Sequence, residues 1–265
     1  MSEAQPVPQV TGRMFLYEKP ELLTKEEHGE LKVKQSDSPF AFAAKARAIP
    51  ITYSEIPSAM KNFPLIFMSK EQPQMLAVTG LYDDINLFVG DDGKWEDHTY
   101  VPGYIRRYPF GLANESEGDR LAVIIDRAFD GFATNGDGAP LFKDGELTEE
   151  TARLVEFCKG YEQDRSLTEQ FVRVLQDNEL IQAQTAQYTP IGSSDAVDFA
   201  SYFSIDEKRL NELPDEKLLE IRKSGMLPLV YGMLMSMGNW RLLLQRRAKR
   251  FDLQDGAIFK PLATN

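Results

Sequence analysis

The 265-residue chain carries 41 acidic against 30 basic residues, a net charge of -11, and is 42% hydrophobic, so it can bury a sizeable core but lacks the positive footprint that nucleic-acid binding requires. Its single cysteine, Cys158, excludes an intramolecular disulfide. The opening MSEAQPVPQV lacks the basic and apolar regions of a secretory signal, so the cytoplasm is the expected address, with the cell surface by a signal-independent route as the alternative.

Residues 1–12 are polar, contain Pro6 and Pro8, and read as a disordered arm. Met14 to Tyr17 reads as a first strand, followed by a charged segment from Glu18 to Lys34 without a strong period. His28 lies there among Glu26, Glu27 and Glu30 and is expected on a solvated face; neither a metal nor a cofactor is expected. From Phe40 onward, Ile49 to Tyr53, Pro64 to Met68, Met75 to Leu81 and Ile85 to Val89 read as short strands, with a helical turn between Tyr53 and Phe63. The DDGK segment from Asp91 to Lys94 is a hairpin turn signal that leads into Trp95.

Tyr100 to Leu112, YVPGYIRRYPFGL, sets an adjacent arginine pair among aromatic residues, prolines and glycines in an acidic chain. Read as extended from Gly103 to Phe110, it places Tyr104, Arg106 and Tyr108 on one face and Ile105 and Arg107 on the other. A guanidinium held against aromatic rings recognises carboxylates or phosphates in bidentate fashion. Arg106, Tyr104, Tyr108, Arg107 and Trp95 are therefore the candidate ligand-binding residues, with Arg106 as the binding arginine. The alternative for one arginine is a buried strut paired to a carboxylate such as Asp126, at the end of a strand Leu121 to Asp126 expected to pair antiparallel with this stretch.

The acidic loop from Asp130 to Asp144 fails the EF-hand spacing, since placing Gly138 at the glycine position puts Ala133 first and Asp144 last. Beyond Gly145, Thr148 is a good N-cap for a helix whose stripe Ala152, Val155, Cys158 and Tyr161 is buried. Ser166 and Glu169 form a capping box for a second helix carrying Leu167, Phe171, Val174 and Leu175, so a helical hairpin is expected. Gln184 to Thr189 and Val197 to Ile205 form a β-hairpin about Gly192 to Asp195. Asp206 caps a short turn, Pro214 opens a helix over Asp215 to Ser224 that stops at Gly225, and a last long helix runs from Met226 towards Lys249. Its apolar part, Met226 to Trp240, has 15 residues without a charge, short of the roughly 18 needed to span a membrane, so no transmembrane segment is expected. Its basic end, RLLLQRRAKR, reads as a solvated face.

These elements give an α+β fold: an antiparallel β-rich half over residues 13–145 packed on, and sharing a core with, a helix-rich half over residues 146–250 that has its own β-hairpin, then a tail over residues 251–265. The sequence has no G-x-S-x-G elbow, Walker-type glycine loop, H-E-x-x-H or cysteine pair. No catalytic residue is assigned. Carboxylates such as Glu55, Asp83, Asp84 and Asp126 leave open an enzyme acting on a peptide or small acid. The reading carried forward is a non-enzymatic binding or accessory protein with a protein or peptide partner.

FAFA at Phe40 to Ala43, IPITYSE at Ile49 to Glu55, FPLIF at Phe63 to Phe67, GLYDDINLFV at Gly80 to Val89, YVPGYIRRYPF at Tyr100 to Phe110 and the closing block from Asp206 to Trp240 together resemble the bacterial SapC family over about residues 13 to 245. The family brings no established activity, cofactor or catalytic residue. Its name comes from a protein linked to surface-layer genes, and its members occur near genes for outer-membrane nutrient receptors and halogenase-like or cupin-like proteins. The resemblance thus implies an accessory role in uptake or in peptide or small-molecule modification, with a surface-layer component as another alternative. The chain departs from the family pattern at Asp198, where a glycine is expected before Phe199, and in its longer basic C-terminus.

Overall fold

The structure is a computed structural model that describes residues 14–82, 85–114, 121–189 and 194–262. In chain order its elements are β1 (Pro20–Leu22), α1 (Lys25–His28), β2 (Lys32–Val33), β3 (Ala48–Pro50), α2 (Ile56–Ala59), β4 (Leu65–Phe67), β5 (Met75–Val78), α3 (Gly103–Arg106), β6 (Phe110–Asn114), β7 (Leu121–Asp126), β8 (Phe132–Ala133), β9 (Ala139–Pro140), β10 (Phe142–Lys143) and β11 (Glu146–Leu147). There follow α4 (Glu149–Asp177), β12 (Ile181–Tyr188), β13 (Val197–Ile205), α5 (Glu207–Asn211), α6 (Asp215–Lys223), α7 (Leu227–Ser236) and α8 (Asn239–Phe251). Antiparallel sheet dominates the first half and helix the second, so the fold class is α+β. Contacts divide the chain into two units, residues 1–39 with 106–163 and residues 40–105 with 164–265. Among the described residues no helix is long and apolar enough to cross a membrane.

In the first unit β1, β7 and β6 form an antiparallel sheet in which Phe110 faces Ile125. Strand alternation sends Phe110 and Leu112 to one face, where they pack with Leu31, Ile125, Leu141 and Cys158. Cys158 is buried on its helix stripe, as expected from the spacing. Met14 to Tyr17 is a turn rather than a strand, closed by Tyr17 N donating to Met14 O. The Tyr17 hydroxyl is anchored on Phe110 O at 2.6 Å, a long-range tie that a four-residue pattern does not contain.

The helical hairpin expected around Ser166 is instead one helix, α4, of 29 residues. No glycine or proline follows Gly160 in it, so nothing interrupts the ladder. The Arg165–Glu169 ion pair spans one turn across the supposed break, and the capping residue's neighbour Leu167 is exposed.

The second unit is built on a five-stranded sheet of order β12-β13-β4-β5-β3. The hairpin β12–β13 is present, with a register shift between Ala186 and Gln187 that brings Gln187 opposite Asp198; Gly192 and Ser193 of its predicted turn lie outside the described residues. Ile85 to Val89 is not a strand. The buried Asn86 donates to Ala43 O and accepts from Phe88 N, which satisfies the local backbone without a ladder. The expected DDGK turn does form: Gly93 has φ 72°, and Val89 bridges Trp95 across it.

α7 packs on α2 through Gly232, where an added Cβ would stand 3.0 Å from the Ile56 side chain. The last helix is broken between Ser236 and Asn239 rather than continuous. Ser236 Oγ accepts from Leu65 N, and the Asn239 amide donates to Met60 O and Phe63 O, so both residues serve the α2–β4 segment in place of a straight helix.

Candidate functional site

The arginine stretch begins at a buried carboxylate. Glu55, closing a 3-10 turn over Tyr53–Glu55, accepts from Thr52 N at 2.8 Å and Thr52 Oγ1 at 3.0 Å with one oxygen. With the other it accepts from Gly103 N at 2.6 Å and the Tyr100 hydroxyl at 3.0 Å. Pro102, with its fixed φ, precedes a segment whose first amide is thereby capped, and Gly103–Arg106 coils into α3. The extended reading is therefore corrected. Residues two positions apart on a helix point about 200° from each other, and accordingly Tyr104 is buried while Arg106 is exposed. Tyr104, Arg106 and Tyr108 do not share a face.

Arg107 is 3% exposed, with Nη1 3.1 Å from Glu162 Oε1 and its guanidinium 4.7 Å from the Tyr161 ring centroid and 5.9 Å from that of Tyr17. It is the strut. Its carboxylate is Glu162 on α4, not Asp126. Asp126 is instead committed to backbone amides of Glu18, Lys19 and Ala128 at 2.9, 2.9 and 3.1 Å and to the Tyr108 hydroxyl at 3.2 Å. Burial, and then the neighbouring Asp126, push the Tyr108 hydroxyl well above its ordinary value. Arg106 lies 5.0 Å over the Phe157 ring. Burial raises the Cys158 thiol to about 11, Arg107 pulling weakly the other way, so it is neutral at physiological pH and unsuited to attack as a thiolate.

His28 is 3% exposed, contrary to the solvated face expected of it. Its Nδ1 contacts Thr24 N and O at 3.2 Å and its Nε2 contacts Glu21 at 3.4 Å, so the ring closes the turn of α1. With Glu27 these groups bring three ligand-type atoms within 4.8 Å of one another.

Of the carboxylates weighed for catalysis, Glu55 and Asp126 are each occupied by donors of their own unit; Asp83 and Asp84 lie outside the described residues. Trp95, the remaining sequence candidate, lines a cleft of about 460 Å³ in the second unit, together with Phe88, Glu96, Arg246, Lys249 and Arg250. Phe88 and Trp95 stack with centroids 5.9 Å apart. The Arg246 guanidinium sits 4.3 Å from the Phe88 centroid and pairs with Glu96; its partial burial lowers its pKa. Arg250 reaches Val89 O and Asp91, each at 2.6 Å. Four cationic and three acidic side chains line the cleft, and a fourth carboxylate, Asp91, pairs with Arg250, so the charges there balance on a chain of charge -11. Phe88 and Trp95 are buried, so the stacked pair backs Arg246, and the guanidinium is the group there that can take a carboxylate in place of Glu96.

The basic end of α8 is thus not simply solvated. Arg246, Lys249 and Arg250, at i, i+3 and i+4, face the cleft. Arg247, 1% exposed, donates to Ile258 O and Lys260 O, both at 2.7 Å, and lies 4.8 Å from the Tyr82 ring. Its spacing from Leu243 and Leu244 was a legible sign that it belongs to the buried stripe.

No curated protein and no solved structure matches the chain. The SapC family model matches residues 23–243, a span that takes in Glu55, the arginine stretch, Glu162 and the start of α8, and the chain belongs to the SapC family.

Proposed function

We propose that this chain is a non-enzymatic, cytoplasmic accessory protein that holds a peptide or small acid in the Phe88–Trp95–Arg246 cleft, in the service of an uptake or modification system. The observation that carries this reading is the Arg246 guanidinium on the Phe88 ring at the wall of the cleft, with Glu96 as its counterion. A carboxylate exchanged for Glu96 there meets a half-desolvated cation held against the Phe88 ring, which the buried Trp95 supports from beside it. Arg106 remains a second, exposed contact for a protein partner on the first unit. Calorimetric titration with benzoate and N-acetylphenylalanine tests the reading. Saturable binding is expected that weakens at least about tenfold in Arg246→Ala and in Trp95→Ala, with melting little changed in the first. Absence of saturation, or binding indifferent to both substitutions, overturns it.

A further inference from the structure

The two edges of the five-stranded sheet are built differently. β3 is three residues long and contains Pro50, both devices that blunt an edge. β12 has eight residues, IQAQTAQY, without a proline or a charge, although 27% of the chain is charged. Asp206 N donates to Leu180 O at 2.9 Å, which sets the phase of the antiparallel ladder. The backbone groups of Gln182 and Gln184 then turn towards β13, and those of Ile181, Ala183 and Thr185 turn outward. Among the described residues no backbone partner reaches these outward groups.

We propose that β12 is an interface with a second copy of this chain, paired antiparallel about a two-fold axis at Ala183. In that register Ala183 faces Ala183 of the other copy, Ile181 faces Thr185, and Gln182, whose side-chain amide is held by Glu179 O and Lys70, faces Gln184, so the outward amides and carbonyls are matched. The contact is neutral on both sides, which suits self-association of a chain of net charge -11. Ala183 and Thr185 are exposed, leaving the axis uncovered.

Sedimentation velocity of the full chain across a concentration series should show a dimer that becomes monomeric in Ala183→Lys, where like charges would stand directly opposite; because Ala183 is exposed, that variant keeps its fold and its melting temperature at low concentration. Under mild oxidation Ala183→Cys should form a disulfide-linked dimer, since paired Cα atoms lie about 5.5 Å apart. Gln187→Cys should not, as its two copies would be about 27 Å apart along the seam. A wild-type chain monomeric throughout, a dimer that persists in Ala183→Lys, or equal crosslinking at both positions overturns the proposal.

Discussion

The arginine stretch of the first unit and the basic end of α8 in the second solve one problem in two ways. Each sets a guanidinium in the interior next to cationic neighbours at the surface. Arg107 is matched by a countercharge, Glu162, 55 residues along the chain, and by two tyrosine rings. Arg247 donates to carbonyls of the segment just after its own helix, Ile258 O and Lys260 O, and lies against the Tyr82 ring. Glu162 lies on a distant element, and breaking that buried pair strands the surviving charge, whereas the carbonyls that Arg247 holds lie 11 and 13 residues along the chain and can turn to water when they lose their donor. The first arrangement therefore ties the fold of its unit together, and the second pins a terminal segment.

The sharpest way to break this contrast is substitution of the two buried arginines. Arg107→Ala should lose about 3 kcal/mol in urea unfolding, with Glu162→Ala moving the same way and the double variant losing less than the sum. A loss below 1 kcal/mol, on the order of an exposed pair, would show that Glu162 is not its essential partner. Arg247→Ala should cost about 2 kcal/mol, with a local signature: faster proteolysis within residues 255–262 while the sheet amides stay protected from exchange. Uniform loss of protection would place Arg247 in the same class as Arg107.

Alkaline pH sharpens the comparison further, because Cys158 sits in the first unit beside Arg107. Its thiol moves from an ordinary 9.0 to about 11 in the folded chain, so above pH 9 the unfolded chain gives up its proton first. Stability is fully present below pH 9 and falls as the pH rises towards 11, by up to about 2 kcal/mol. Cys158→Ala should flatten that limb; an unchanged slope assigns it elsewhere, Tyr108 being raised in the same direction. Arg246→Ala, which removes a half-buried guanidinium from Phe88 and Glu96, should stay within about 1 kcal/mol of the parent chain. The smallest effect belongs to the exposed Arg106, where Arg106→Ala should stay within about 0.5 kcal/mol. Thermal melts that bring Arg106→Ala down with Arg107→Ala would dissolve the distinction between strut and surface arginine.

By itself the sequence determined what local chemistry decides. The α+β class, the glycine turn at Asp91 to Lys94, the Thr148 cap, the buried stripe through Cys158 and the second hairpin all follow from period and turn residues within a few positions. Leu121 to Asp126 does pair antiparallel, but with Phe110 to Asn114 rather than with the arginine stretch from Gly103 to Phe110. That one of two adjacent arginines is structural was also legible. Which one, and with what partner, was not. Tertiary contacts decided those points: Glu55 capping Gly103 coils a segment whose aromatic composition reads as strand, and Asn239 bonding Met60 and Phe63 accompanies the break in an apolar helix. His28 and Arg247 are buried within charged runs for the same reason. A charge or an amide goes inside when distant groups complete its hydrogen bonds, and neither composition nor periodicity records which groups the fold will bring there.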